Sequence, residues 1–357
     1  MQAAVFSFSA RGAALSKAVG EYLSSLGYSA RVATVAKYAQ ATGLAPMVPD
    51  YKAATAAAFA DCQIIIYIGA TGIAVRAIAP YLRHKDVDPA IISIDEGGNF
   101  VIPLLAGHIG GANGLARAVA AAIGGTACVT TATDVNGLFA IDEWAARNHM
   151  AMDSLSTAKD FAAALVAGKQ VGLYYDEAFT VTRPLPKLIA PCNEGTFSCG
   201  MAITVKEGLE PFPTTVRLVP KAVYLGIGCR RNTPLEKIEA LVLPKLAELG
   251  FDWRSIVALA SVDLKKDEEG LLAFAKKYHL AAHFYTAAEL NSVEGDFTPS
   301  AFVQSIVGVS NVCERSAVFA SKGGQLLLKK TSLEGVTLAV AVKQAAFDLN
   351  KTGLKLN

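Results

Sequence analysis

The chain has 357 residues, more than one hydrophobic core usually serves, so two or three domains are expected. It is 52% hydrophobic and only 18% charged, a balance that suits strands buried on both faces. A net charge of +2 gives no basic field for nucleic acid and no acidic tail, so an anionic ligand has to be caught by local groups.

The opening MQAAVFSFSARG lacks the basic segment and long apolar run of a signal peptide. The longest charge-free window, 97–116, is broken by Pro103, His108, Asn113 and several glycines. A bilayer span needs about 20 predominantly apolar residues without such breaks. The expectation is therefore a cytoplasmic protein with no transmembrane segment. AAVFSFS reads as a strand and ALSKAVGEYLSSLG as the amphipathic helix after it. CQIIIYIG (62–69) is an apolar, β-branched run ended by glycine, which marks a buried parallel strand, and GIAVRAIAPYL a helix. AIISID and FVIPLL are two further strands around Gly97–Gly98, followed by the helix GANGLARAVAAAIGG and the strand ACVTTAT. This alternation predicts a parallel sheet with right-handed crossovers.

From Val135 the pattern changes to helices around IDEWAARNHM and TAKDFAAALVAG, then the short strands VGLYY and AITVK. KEGLEPFPTTVRLVP (206–220) has a linker's proline content. A third unit opens at AVYLGIG and closes on GQLLLKK and GVTLAVAVK. The predicted fold is α/β, with two parallel-sheet α/β domains at the ends (1–134 and 222–346) and a smaller α+β middle segment (135–213). A linker covers 214–221 and a tail 347–357. Cys62, Cys128, Cys192, Cys199, Cys229 and Cys313 form no CxxC pair, and the five histidines are dispersed, so neither disulfides nor a protein-bound metal is expected.

Ligands of open parallel sheets sit at the carboxyl ends of the strands, so the loops there carry the functional reading. GATGIAVR (69–76) combines Gly69, Thr71 and Gly72 with Arg76: backbone N–H groups at a helix start hold a carboxylate or phosphate, and the guanidinium adds a second contact. The plain alternative is a tight turn with a solvated arginine. LAGHIGGAN (105–113) brings Gly107, Gly110, Gly111 and Asn113 around His108. Glycine at that density favours close backbone approach, and the histidine can act as general base or as donor to an anion. TTATDVNG (130–137) contributes Thr131 and Asp134, a carboxylate that orients water or caps a helix.

In the third unit, YLGIGCRRNT carries Gly226 and Gly228 with Arg230 and Arg231 behind them. A dinucleotide fingerprint needs glycine or alanine where Arg231 stands, so a nicotinamide-binding oxidoreductase is disfavoured and carboxylate binding fits better. VGVSNVCERSA offers Ser310 and Glu314, but Val312 replaces the second glycine of a hydrolase nucleophile elbow.

Taken in order, ATGIAVRAIAPYL, DPAIISIDEGGNFVIPLLAGHIGGANGLA, VTTATDVNGLFAIDEWA, YLGIGCRRNTP and VGVSNVCERSA resemble the cobalt-precorrin-5A hydrolases of anaerobic cobalamin biosynthesis, across nearly the whole chain. The resemblance implies a cobalt-tetrapyrrole polycarboxylate as substrate, opening of its ring A lactone with water, and loss of acetaldehyde. It also implies no cofactor, since the cobalt travels with the substrate, and leaves transient contact with neighbouring pathway enzymes open. On that basis His108 is expected to activate water at the lactone carbonyl, with N–H groups of the 107–111 loop on the oxyanion. Asp134 or Glu314 would take the hydroxyl proton, and Arg76, Arg230 and Arg231 would hold carboxylates. The middle segment is expected to be a spacer or lid. A non-catalytic corrinoid carrier is the competing reading.

Overall fold

The computed structural model describes residues 1–84, 87–108, 110–299 and 308–351. They fall into two compact units: Met1–Arg147 together with the chain end from Asn350, and Asn148–Leu349.

The first unit is a seven-stranded sheet, built from β1 (Gln2–Ser7), β2 (Ser29–Thr34), β3 (Ala45–Pro46), β4 (Ile64–Ile68), β5 (Ala90–Ile94), β6 (Phe100–Leu105) and β7 (Thr126–Ala127). Their order is β3-β2-β1-β4-β5-β6-β7. IIIYI and AIISI are wholly buried because helices cover both faces. Side chains alternate across β4. Ile64, Ile66 and Ile68 pack with Val19, Leu23, Leu115 and Val119 of the helices Ala10–Ser25 and Ala112–Ile123. Ile65 and Tyr67 pack with Ala58, Ala74 and Ile78 of Tyr51–Asp61 and Thr71–Ile78.

One expectation fails here. β1 to β5 are parallel, but β6 runs antiparallel to β5, and β7 follows β6. The segment Asp95–Asn99 is a hairpin turn in which Asp95 accepts from the N–H groups of Gly97 and Phe100, so FVIPLL returns beside AIISI without a crossover. The carboxyl ends of β6 and β7 therefore lie at the opposite end of the sheet from those of β1, β4 and β5. The five residues of β5 separate the two ends by roughly 15 Å.

The second unit contains β8 (Ala151–Met152), β9 (Val171–Tyr175), β10 (Phe179–Val181), β11 (Ile189–Pro191), β12 (Cys199–Ile203) and β13 (Thr214–Val219). Of these, β11-β9-β12-β13-β8 form one sheet. A separate sheet holds β14 (Val223–Cys229), β15 (Ile256–Val262), β16 (Ala281–Tyr285), β17 (Gln325–Leu333) and β18 (Val336–Val342), in the order β16-β15-β14-β18-β17, and β19 (Ala345–Phe347) pairs with β10.

The stretch read as a linker at 214–221 is mostly β13, whose Val216, Leu218 and Val219 are fully buried. Its prolines stand just outside the strand, at Pro211, Pro213 and Pro220, where they punctuate it rather than loosen it. The middle segment expected over 135–213 is divided: 135–147 belong to the first unit, and the rest packs with the third segment. Asp252 N–H donates to Val205 O at 2.8 Å, Lys206 Nζ to Leu249 O at 2.6 Å, and Arg217 bridges Asp153 and Asp252, so both belong to one packed body.

Candidate active site

The chain leaves β6 through Ala106, which is held at φ 53°, in the left-handed region that costs a non-glycine residue of order 1 kcal/mol or more. The helix Ala112–Ile123 starts at Gly111, also left-handed at φ 77°. Between them the strand-to-helix connection is bent back on itself: Gly111 N–H donates to His108 O, Ala112 to Ala106 O and Asn113 to Gly107 O. The Gly111 N–H, expected to hold an oxyanion, is thus used within the loop. What the bend does instead is project His108 and Asn113 toward the segment that follows β7.

There they meet TTATD. His108 Nε2 lies 3.1 Å from Asp134 Oδ2, with Thr133 Oγ1 at 3.2 Å from the same nitrogen. Asp134 also accepts from Asn113 Nδ2 at 2.9 Å, from Thr131 Oγ1 and from Arg117 Nη2. Asn113 Nδ2 is 3.0 Å from Thr131 Oγ1 as well. On its other side, His108 Nδ1 is 3.2 Å from Asp142 Oδ1 on the helix Ile141–Arg147. The His108 side chain is 18% exposed, Asp134 10% and Asp142 23%, so the cluster is largely enclosed yet still reaches solvent.

An imidazole between two carboxylates is held protonated. The hydrogen bonds to Asp134 and then to Asp142 push His108 up to about 10, against the opposing pull of burial. Burial raises both carboxyls, but the hydrogen bonds outweigh it. Those from His108, Thr131 and Arg117 keep Asp134 well below the usual carboxylate range, and those from His108 lower Asp142. Asp134 is accordingly a poor base, and His108 is a cation at neutral pH.

Ligand atoms of His108, Asp134 and Glu143 lie within 4.8 Å of one another, the geometry of a metal pocket. The guanidinium of Arg117 already occupies one Asp134 oxygen, and both nitrogens of His108 face carboxylates, so these groups serve one another as hydrogen-bond partners.

The remaining predicted residues lie elsewhere. Gly69, Thr71, Gly72 and Arg76 stand at the carboxyl end of β4, the opposite end of the sheet from His108. There Thr71 Oγ1 meets Ser93 Oγ at 3.2 Å and Arg76 Nη1 donates to Gly72 O at 3.3 Å. Gly110 packs against Ala106 within the bent loop. In the second unit, Arg231 makes a forked pair with Asp267 at 2.5 and 2.7 Å on the surface, and the stem of exposed Arg230 lies along Gly335. Gly226 faces the Cys313 carbonyl and Gly228 the Thr337 hydroxyl, so both glycines make room for neighbouring chain.

Ser310, half-buried, precedes Asn311, the cap of the helix Val312–Ala320. Glu314, fully buried, accepts from Thr298 N–H at 2.7 Å, Thr298 Oγ1 at 2.8 Å and Lys330 N–H at 2.5 Å. Its carboxylate does not reach solvent and fastens strand to loop. The sequence reading missed Asp142, Arg117 and Thr133. The one available signal was their place in motifs already singled out, as the aspartate of FAIDEWA, the arginine of GANGLAR and the last threonine of TTATD.

Among the described residues no helix is long and apolar enough to cross a membrane. Family models described as Cobalamin synthesis G N-terminal, Cobalamin biosynthesis central region and Cobalamin synthesis G C-terminus match residues 53–134, 139–220 and 223–341. The chain is 37% identical over 299 residues to a cobalt-precorrin-5A hydrolase of Salmonella typhimurium, covering 80% of this chain and 83% of that one. It is 34% identical over 298 residues to a cobalt-precorrin-5A hydrolase of Priestia megaterium, covering 80% and 79%. A solved structure of a cobalamin biosynthesis protein G homolog from Sulfolobus solfataricus aligns over 96% of this chain and 97% of its own, at 22% identity and a TM-score of 0.41. By its three matched regions and its curated relatives, the chain belongs to the cobalt-precorrin-5A hydrolase family.

Proposed function

We propose that this chain hydrolyses cobalt-precorrin-5A, opening the ring A lactone with water and releasing acetaldehyde to give cobalt-precorrin-5B. Likeness to the curated hydrolases over four fifths of the chain supports the reaction. The structural observation that carries the reading is His108 between Asp134 and Asp142. It is a largely enclosed proton-handling centre that still reaches solvent, at the loop where the resemblance is most specific. No cofactor is required, because the cobalt arrives as part of the substrate.

In the first unit Arg117, half-exposed beside Asp134, takes the carboxylate-holding part expected of Arg76, which stands at the far end of the sheet. In the second, the surface pair Arg231–Asp267 contributes little to stability and is open to exchange for a substrate carboxylate, with Arg230 beside it. A labile product of this kind also favours transient contact with the enzymes on either side of the reaction. Anaerobic incubation of the purified protein with cobalt-precorrin-5A and an aldehyde trap tests the reading. Acetaldehyde in step with substrate loss is expected, and tight binding without aldehyde would make the chain a carrier and overturn it.

A further inference from the structure

The geometry points to Asp142 as a positioning residue for this reaction: with Asp134 it keeps His108 an imidazolium whose Nδ1 proton is the one delivered to the substrate. The inference rests on the hydrolase reading above and reverses the order of proton transfers expected from the sequence, in which His108 acts first as a base.

The two carboxylates are not equivalent. Asp134 is fixed by donors from four side chains, His108, Asn113, Thr131 and Arg117. Asp142 is held by the backbone N–H of Glu143 at 3.0 Å and by His108 Nδ1 at 3.2 and 3.3 Å to its two oxygens. With donors from two groups against four, the Asp142 side is the less constrained one. It is also the more exposed. Nε2 is thus anchored and Nδ1 is the nitrogen that an incoming oxygen can engage. The groups facing the ring are Asp134 and Thr133 from the segment after β7 and Asp142 from the helix Ile141–Arg147, from which the Glu143 carboxyl also comes within 4.8 Å of His108 and Asp134. Arg117, on the helix Ala112–Ile123, acts through Asp134.

Water adds to the lactone carbonyl and gives both of its protons to solvent, one on addition and one as the new carboxyl group ionises. The acyl C–O bond breaks, its electron pair stays on the ring oxygen, and that oxygen takes the Nδ1 proton to become a hydroxyl. His108 is now neutral between two carboxylates, a far stronger base than a free imidazole. It withdraws the same proton, the O–H pair becomes the C=O of acetaldehyde, the C–C bond breaks and its pair remains on the macrocycle. The imidazolium is restored and one water has been consumed.

The test is Asp142→Asn, read two ways in the full-length protein. In the substrate-free protein, ¹⁵N NMR of the His108 ring, assigned with His108→Gln, should stay doubly protonated past pH 8 in the parent. Its midpoint should fall by at least about one pH unit in the variant. Acetaldehyde release by the variant should drop by about tenfold or more, and the loss should deepen as pH rises past the new midpoint. Asp142→Glu should recover both readouts in part. An unchanged His108 titration in Asp142→Asn, or a loss of rate equal at every pH, would overturn the inference. A parent protein that releases no acetaldehyde would instead sink the hydrolase reading, whatever the NMR shows.

Discussion

Asn113 lies so close behind Gly107 that a methyl group on residue 107 would meet its amide at 2.8 Å from Oδ1 and 3.0 Å from Nδ2. Asn113 is 2% exposed, and its amide ties Thr131 to Asp134, so it has no empty space to retreat into. Gly107→Ala should therefore push the amide off Asp134 and let the carboxylate that anchors His108 shift. Displacements of about 1 Å at a reacting centre can cost about 10²-fold in rate. Acetaldehyde release should fall by that order, and the thermal unfolding midpoint should fall as well, because a buried amide loses its partners. Full activity in the variant would show that the position of Asn113 does not matter to the chemistry.

The same cluster makes stability depend on pH in a defined direction. His108 is raised to about 10 from an ordinary 6.5, so the stabilisation it contributes is complete below about pH 6.5 and fades as pH climbs through 10. Asp134 and Asp142 are lowered, so theirs is present above the ordinary carboxylate value and lost as pH falls below it. The unfolding midpoint of the parent should exceed that of His108→Gln most between about pH 5 and 6.5, and the gap should narrow toward both acid and alkali. Thermal scans of the two proteins across this range decide it. A gap that stays level from pH 5 to 10 would mean that the ring is not held as a cation.

The sequence made the His108 loop legible because three glycines around one histidine have a local cause, a chain that must bend back and pack closely. TTATD was legible for the same reason, since Asp134 follows a strand at a fixed offset. Asp142 and Arg117 were not, because each is an ordinary charged residue on its own helix, and only tertiary packing brings them to the ring and its partner. The direction of β6 was written in DEGGN, a tight hairpin signal between two apolar runs, but βα alternation on either side outweighed it. That misreading set Gly69–Arg76 beside His108, when the sheet holds them at opposite ends. β13 was hidden by averaging composition over a stretch whose prolines all stand outside the strand.

Glu314 separates a structural carboxylate from a catalytic one. Its oxygens take two donors from Thr298 and one from Lys330, with no exposure. In Glu314→Gln the amide turns an acceptor into a donor and leaves at least one of those N–H or O–H groups unmatched. The cost should be about 1–3 kcal/mol of stability. Turnover per folded molecule should stay close to the parent's, measured at a temperature well below the lowered midpoint. A hundredfold loss of turnover with an unchanged midpoint would return Glu314 to the list of proton carriers (~10²-fold is the low end for a general base).

Arg217 tests how firmly the middle segment is joined to the last. Its side chain is 10% exposed, and it donates to Asp153 on one side, to Asp252 on the other and to Lys206 O at 2.8 Å. Arg217→Met fills the same volume but leaves buried Asp252 and the Lys206 carbonyl short of a donor. Arg254 still reaches Asp252 and Asp153, so the compensation is partial, and the loss should fall near the lower end of that for a broken buried pair, about 3 kcal/mol. Arg254→Met should cost less, because that side chain is 42% exposed and water can replace much of what it supplies. Arg217→Lys should recover only part of the loss, since one ammonium cannot serve three acceptors set in a planar fork. Chemical denaturation of the three variants gives the order. Equal losses for Arg217→Met and Arg254→Met would mean that burial of Arg217 adds nothing to the join.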